Sequence, residues 1–306
     1  MKILVVASYN KNRFAPFIVE QAETLKQFDC EVDYFGIVGK GIKGYLSAFS
    51  SLRMKIKSFK PDVIHAHYGL SGLLANLQRS IPVVTTYHGS DINLPKVLRL
   101  SKLAMKLSAW NIFVSQRNVD IAQPKKNYLL LPCGVNLPNY NESEISAVKE
   151  KLNWNPYKKY ILFAGAFDNR VKNAKLAQDS ISLVENAELI ELKGYTREQV
   201  TALFYAVDSF LMTSFTEGSP QVVKEAMACG CPIVSVDVGD VAERIEGLDG
   251  CYIAERNPQD IANKLNKVLS LNSRTKGRER IIELGLTNDL VAKKLVDIYE
   301  DVLKNN

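Results

Sequence analysis

Short apolar runs alternate along this chain with longer stretches in which apolar residues recur every three or four positions. Runs at residues 3–8, 31–37, 62–68, 82–87, 111–115 and 128–131 predict strands, and the stretches 17–28, 45–59 and 95–109 between them predict helices. Strands that alternate with helices imply a parallel sheet with crossover helices. The alternation breaks at residues 132–156, where Pro132, Pro138 and Pro156 flank a polar Asn139-Tyr140-Asn141-Glu142 stretch.

A second series follows. Strands are predicted at 160–164, 187–192, 209–213 and 233–237, with a helix at 173–184. Thr196 and Gln199 fit a capping box, and Asn257-Pro258 supplies a cap followed by a first-turn proline. In the last stretch, Leu290, Val291, Leu295, Ile298, Tyr299 and Val302 share a helical face. The fold expected is α/β, two doubly wound Rossmann-like domains facing across a cleft. The first spans residues 1–137, a linker 138–157, the second 158–287, and a helix at 288–306 returns to the first domain. Ligands of open parallel sheets sit at the carboxyl ends of the strands, so both domains are expected to contribute to a site.

A length of 306 residues suits two domains, since single cores tend to split beyond about 250–300 residues. The first apolar run is too short for a signal peptide and no run approaches the ~20 residues of a membrane-spanning helix, which points to a cytoplasmic protein. Five scattered cysteines match no zinc or redox pattern and read as reduced core thiols. Charge is uneven: residues 1–137 hold 18 Lys and Arg against 8 Asp and Glu. Lys40, Lys43, Arg53, Lys55, Lys57 and Lys60 cluster, and Lys96, Arg99, Lys102 and Lys106 share a helical face. Such a half suits an anionic partner, here a membrane surface carrying a lipid-linked glycan; no nucleic-acid motif is present.

The chemistry concentrates in residues 213–232. A strand runs into a loop holding Glu217, Gly218 and Ser219; Ser219 reads as a helix N-cap with Pro220 after it, and Glu225 lies about two turns into that helix. Ionised carboxylates accept hydrogen bonds from vicinal hydroxyls, each worth about 1.5–3 kcal/mol, so two of them suit a polyhydroxylated ligand.

The Glu217-Gly218-Ser219-Pro220 and Glu225-Ala226-Met227-Ala228 segments resemble the E-x7-E region of the family 4 retaining glycosyltransferases, which have the GT-B fold. Asp62–Tyr68, Thr86–Asp91 and Pro132–Asn136 are similar to family segments in the expected order. The resemblance implies transfer of a hexose-type sugar, with retention, from a nucleotide diphosphate sugar to a glycan or lipid-linked acceptor. Glu225 would hold the donor ribose, and Glu217 would meet the transferring sugar beside the Gly218 and Ser219 backbone. The family's diphosphate-binding loop falls at residues 165–173. Ala166 stands where an arginine is usual, leaving Arg170 and Lys172 as the candidates. The usual Gly-Gly pair after the first strand is replaced by residues 8–14, where Arg13 would supply charge to the donor diphosphate or meet the acceptor. His88 would hydrogen-bond a sugar hydroxyl or steady the leaving phosphate. His65 and His67 share one strand face and are expected to be buried or to line the cleft.

Without a D-x-D motif, stabilisation of the leaving group is expected to be metal-independent, with no cofactor beyond the donor itself. The alternatives are a sugar-nucleotide epimerase of the same fold and a catalytically inactive nucleotide-sugar-binding subunit.

Overall fold

A computed structural model describes every residue except Lys11, Lys40 and Asn306, and the side chain of Ile42. The chain forms two compact units. Unit 1 joins Met1–Gly134 to Leu286–Asn306, and unit 2 is Val135–Gly285.

Unit 1 is built on β1 (Lys2–Ser8), β2 (Glu31–Ile37), β3 (Val63–His67), β4 (Val83–Tyr87), β5 (Trp110–Phe113) and β6 (Tyr128–Leu130). They form one parallel sheet in the order β2-β1-β3-β4-β5-β6. Alternation along β1 divides its side chains between two cores. Ile3, Val5 and Ala7 pack with Ile18 and Leu25 of the helix Pro16–Leu25 and with Val291, Leu295 and Tyr299 of the terminal helix Asn288–Lys304. Leu4 and Val6 pack with Leu52 and Leu74. The terminal helix is therefore part of the unit 1 core, and Thr287 caps it by accepting from Leu290 N.

Unit 2 holds β7 (Lys159–Phe163), β8 (Ala187–Glu191), β9 (Ser209–Met212), β10 (Ile233–Val236) and β11 (Cys251–Ala254), a parallel sheet ordered β11-β10-β9-β7-β8. Its central strands are mostly apolar, as burial on both faces requires: Ile161, Leu162, Phe163, Phe210, Leu211 and Val234 are fully buried. Thr196 and Gln199 form the expected capping box of the helix Arg197–Ala206.

Several expectations change. The stretch read as a linker, 138–157, contains the helix Glu142–Lys151, which packs on Arg197–Ala206 as part of unit 2. Asn141 caps it, acids open it and lysines close it, so the helix dipole is complemented at both ends. The helical stretch at 45–59 divides into Gly41–Ser47 and Phe49–Phe59. The helix Gly69–Asn76 and strand β11 were not expected. All five cysteines are free and buried.

Candidate active site

In unit 2, β7 and β9 are neighbours, and each ends in a loop that carries charge. The loop after β7 passes through a single tight turn, Arg170–Lys172, before the helix Ala174–Ile181. The loop after β9 leads to the helix Gln221–Ala228. The two loops are tied together. Thr213 Oγ1 shares its proton between the carbonyls of Lys172 and Asn173, 2.9 Å from each, and Phe215 N donates to Val171 O at 2.9 Å.

That stitching brings Lys172 Nζ to 2.8 Å from Glu217 Oε1, with only 19% and 17% of the two side chains exposed. The lysine stem lies over Gly165, where an added Cβ would stand 2.9 Å from Lys172 Cγ. Gly239 has φ +62° and faces the same loop; a Cβ there would stand 2.6 Å from Gly218 O. One helical turn further, Arg197 NH1 lies 2.8 Å from Glu225 Oε1, a carboxylate 15% exposed. Each acid of the E-x7-E pair thus has a resident cation. Arg170 is exposed beside Lys172.

Ser219 is not the N-cap. The helix begins at Gln221 with Pro220 in the cap position and no side-chain cap, so Glu225 lies about one turn in rather than two. The proline takes the cap because its fixed φ of −67° leads the chain in with an extended ψ of 115°. Ser219 Oγ is left buried without a hydrogen-bond partner in the protein.

Unit 1 presents a different kind of site at the carboxyl ends of β1, β3 and β4. His67 Nδ1 lies 3.0 Å from His88 Nε2, and Cys133 Sγ lies 3.9 Å from His88 Nδ1. The rings of Phe17 and Tyr68 lean on His88 at 5.1 and 4.6 Å between centroids. Tyr68 sits at φ +73°, strained backbone for a residue with a side chain.

Buried Asp91 holds this corner. Its Oδ1 accepts from the backbone N–H of His88 and Gly89, and its Oδ2 from Gly69 N, at 2.9–3.0 Å. Burial pushes the carboxyl up to about 6, against the amide donors that favour its charge. His65 is pinned between Thr86 Oγ1 at 2.8 Å and the Tyr299 hydroxyl at 2.6 Å, and burial drives its imidazole down to about 3. His67 is held well below its ordinary value by burial, then by its two histidine neighbours. Both are core side chains.

A cavity of about 580 Å³ opens beside this network, lined by Phe14, Ile18, Tyr45, Leu70 and Val97, with exposed Arg13 at its polar side. Asn10 shapes the adjoining loop by clasping Gly39 through both its amide groups, at 2.7 and 2.9 Å.

Arg197, Asp91, Tyr68 and Gly239 escaped the sequence reading. Arg197 had one available signal: a cation in the first turn of a helix opposes the helix dipole, so something else must attract it. Asp91 stood in a quoted segment, but its three amide partners come from folding.

Residues 17–137 match the Glycosyltransferase Family 4 model, and residues 146–271 match the model described as Glycosyl transferases group 1. With one match in each unit, the two models together support a glycosyltransferase of the family 4 type, and the chain has the GT-B fold of two Rossmann-like units. It is 27% identical over 297 aligned residues to an uncharacterised glycosyltransferase of Methanocaldococcus jannaschii, covering 88% of this chain and 79% of that protein. A second relative is the N,N'-diacetylbacillosaminyl-diphospho-undecaprenol alpha-1,3-N-acetylgalactosaminyltransferase of Campylobacter jejuni, 25% identical over 67% of this chain. The chain spans 64% of that relative's length. Sucrose-phosphate synthase from Thermosynechococcus elongatus shares the fold across the whole of both chains, with a TM-score of 0.81 and 16% identity. Among the described residues, no helix is long and apolar enough to cross a membrane, and no group of three His, Cys, Asp or Glu could hold a metal ion.

Proposed function

We propose that this glycosyltransferase moves a hexose-type sugar, with retention, from a nucleotide diphosphate sugar to a lipid-linked or glycan acceptor in polysaccharide or glycolipid synthesis. One observation carries the reading: two acids at E-x7-E spacing, both largely buried, each set against a cation at the carboxyl end of a sheet. Glu225 accepts from the ribose hydroxyls. Glu217, with the Gly218 and Ser219 backbone, meets the transferring sugar.

Breaking the bond between sugar and diphosphate develops positive charge at the anomeric carbon and negative charge on the leaving phosphate. Lys172, with exposed Arg170 beside it, supplies cations to the phosphate, and Glu217 supplies electron density near the sugar. Protein cations then do the work that a metal ion does in other transferases, and no covalent sugar–Glu intermediate is needed. His88 adds a hydrogen bond to a substrate oxygen.

The unit 1 cavity suits the acceptor. Its apolar walls fit hydrocarbon, and Arg13 fits a phosphate, which favours the acceptor over the donor diphosphate as this arginine's partner. The Campylobacter relative, by its name, acts on a diphospho-undecaprenol-linked sugar, in keeping with such an acceptor. Of the basic residues in the 40–60 segment, Lys55 is paired with Asp33 and Lys40 lies outside the described residues. On the helix Pro95–Leu107, Lys96, Arg99, Lys102 and Lys106 are all exposed, with exposed Leu94 and Leu103 among them. That face supports peripheral docking on an anionic membrane, each cation contributing about 1 kcal/mol near the surface.

Thermal shift against a panel of nucleotide diphosphate sugars, followed by transfer to polyprenyl-diphosphate glycans, tests the assignment. One donor is expected to raise Tm and be consumed only when acceptor is present. Stabilisation by none of the panel would defeat it. Equal sedimentation with neutral and anionic vesicles at low salt would remove the membrane component alone.

A further inference from the structure

Two histidine rings meet nitrogen to nitrogen in unit 1, and a contact of that kind requires one donor and one acceptor. His67 Nδ1 and His88 Nε2 are 3.0 Å apart. Two bare nitrogens would repel and two N–H groups would clash, so one proton occupies the bridge. His67 is 1% exposed and neutral, with a single N–H of its own. When that proton lies at Nδ1, His88 Nε2 is bare, and neutral His88 carries its proton on Nδ1.

The direction follows from what His88 has to meet. Its Nε2 is committed to His67, so a substrate contact by the ring falls to Nδ1. The Cys133 thiol stands 3.9 Å from Nδ1, a weak partner that a ligand oxygen can displace. A phosphate oxygen of a substrate only accepts hydrogen bonds, so a ring nitrogen that meets one has to be N–H. We propose that His67 is a positioning residue: it donates Nδ1–H to His88 Nε2 and so holds His88 in the Nδ1–H tautomer, a donor toward the substrate. This rests on the reading that His88 contacts substrate.

The surroundings keep His67 in place for the task. Its ring stacks on His65 at 4.4 Å and 27°, and His65 is itself fixed at both nitrogens by Thr86 and Tyr299. Asp91 fixes the His88 backbone from the other side. His88 can therefore neither slide away from His67 nor turn its Nε2 outward without breaking buried contacts.

The sequence has three histidines, so ¹⁵N labelling of histidine gives a spectrum in which each ring can be assigned. His88 is expected as the Nδ1–H tautomer in the native protein and in His67→Asn, whose amide can donate from the place of Nδ1. In His67→Phe, which keeps a stacking ring, it is expected to revert to Nε2–H. For metal-bound histidines the outer partner that fixes the tautomer is worth about 10–100-fold in activity, and the same scale is expected for a histidine that meets substrate. His67→Phe should therefore lower kcat by that much with little change in nucleotide-sugar Kd, and His67→Asn should restore most of it. An Nε2–H signal for His88 in the native protein overturns the proposal, whether or not His67→Phe folds. So does a His67→Phe protein with native tautomer and kcat. A switched tautomer with unchanged kcat would instead overturn the contact between His88 and substrate, separating the two failures.

Discussion

The two units handle polar groups in opposite ways. Unit 2 sets full charges against each other, Lys172 with Glu217 and Arg197 with Glu225, on turns and helix starts that remain partly open to water. Unit 1 builds its corner from groups whose charge burial disfavours: His65 and His67 are held neutral, and the Asp91 carboxyl is raised to about 6 against three amide donors. All three histidines of the sequence lie in unit 1. Each choice suits a ligand. In the proposed reading a diphosphate requires cations, and the carboxylates would hold those cations ready for it. A hydroxyl or an apolar acceptor group requires shape and neutral hydrogen bonds, because an unpaired buried charge would cost more than it returns.

The strongest test of that contrast is to remove charge from unit 2. Lys172→Ala should lower kcat by about 10²–10³-fold, the range for losing one preorganised donor at a developing negative charge. Adding Arg170→Ala should lower kcat further and weaken donor binding as well. Native turnover at saturating donor would place the diphosphate elsewhere. Glu225→Ala should weaken nucleotide-sugar binding by about 1.5–3 kcal/mol in calorimetry. An unchanged Kd would take the ribose away from this acid.

The neutral network of unit 1 predicts acid lability. The folded-state pKa of His65 is about 3 against an ordinary 6.5, so below pH 6.5 the unfolded chain binds more protons and stability is lost. The loss is about 1.4 kcal/mol per pH unit, about 2 kcal/mol by pH 5 from this residue alone. His67 acts in the same direction. Asp91, raised from 3.8 to about 6, acts the opposite way: its folded form takes up a proton first and offsets part of the loss below about pH 6. Trp110 lies in unit 1 and Trp154 in unit 2, the only tryptophans in the sequence. Urea titrations of Trp154→Phe and Trp110→Phe variants therefore report each unit separately. The unit 1 midpoint should fall between pH 7 and pH 5 while that of unit 2 holds; parallel behaviour would erase the distinction.

The smallest effect concerns Ser219. Its hydroxyl is buried without a protein partner, so Ser219→Ala should leave Tm nearly unchanged. If the hydroxyl serves the donor, the same change should weaken binding by about 0.5–1.5 kcal/mol. A loss of Tm with intact binding would make Ser219 structural.

Strands were the most legible part of the sequence, because a short apolar run bounded by polar residues marks a buried strand: β1 and the edge strand β2 lie within a residue of expectation. What escaped had weak or misleading local signals. Strand β11 is a short Cys-Tyr-Ile-Ala run behind a glycine. The helix Glu142–Lys151 is hidden between prolines and is polar on most of its surface, while the two glycines of Gly69–Asn76 disguise a helix that approaches its neighbours closely. The E-x7-E acids and Lys172 could be named from sequence, but Arg197 and the two pairings could not. Arg197 and Lys172 reach them through packing across 28 and 45 residues, and the Tyr299–His65 contact spans 234. Periodicity carries no information at such separations.

The terminal helix has a consequence for biosynthesis. Its Val291, Leu295 and Tyr299 complete a core begun by Ile3 and Val5, so the first half of the polypeptide waits for residues 291–299 to leave the ribosome. Unit 2, continuous from Val135 to Gly285, has everything it needs sooner. This nascent chain therefore matures from the middle outward, reversing the usual N-terminal-first order, and the uncovered apolar face of the early sheet is where a chaperone would be needed.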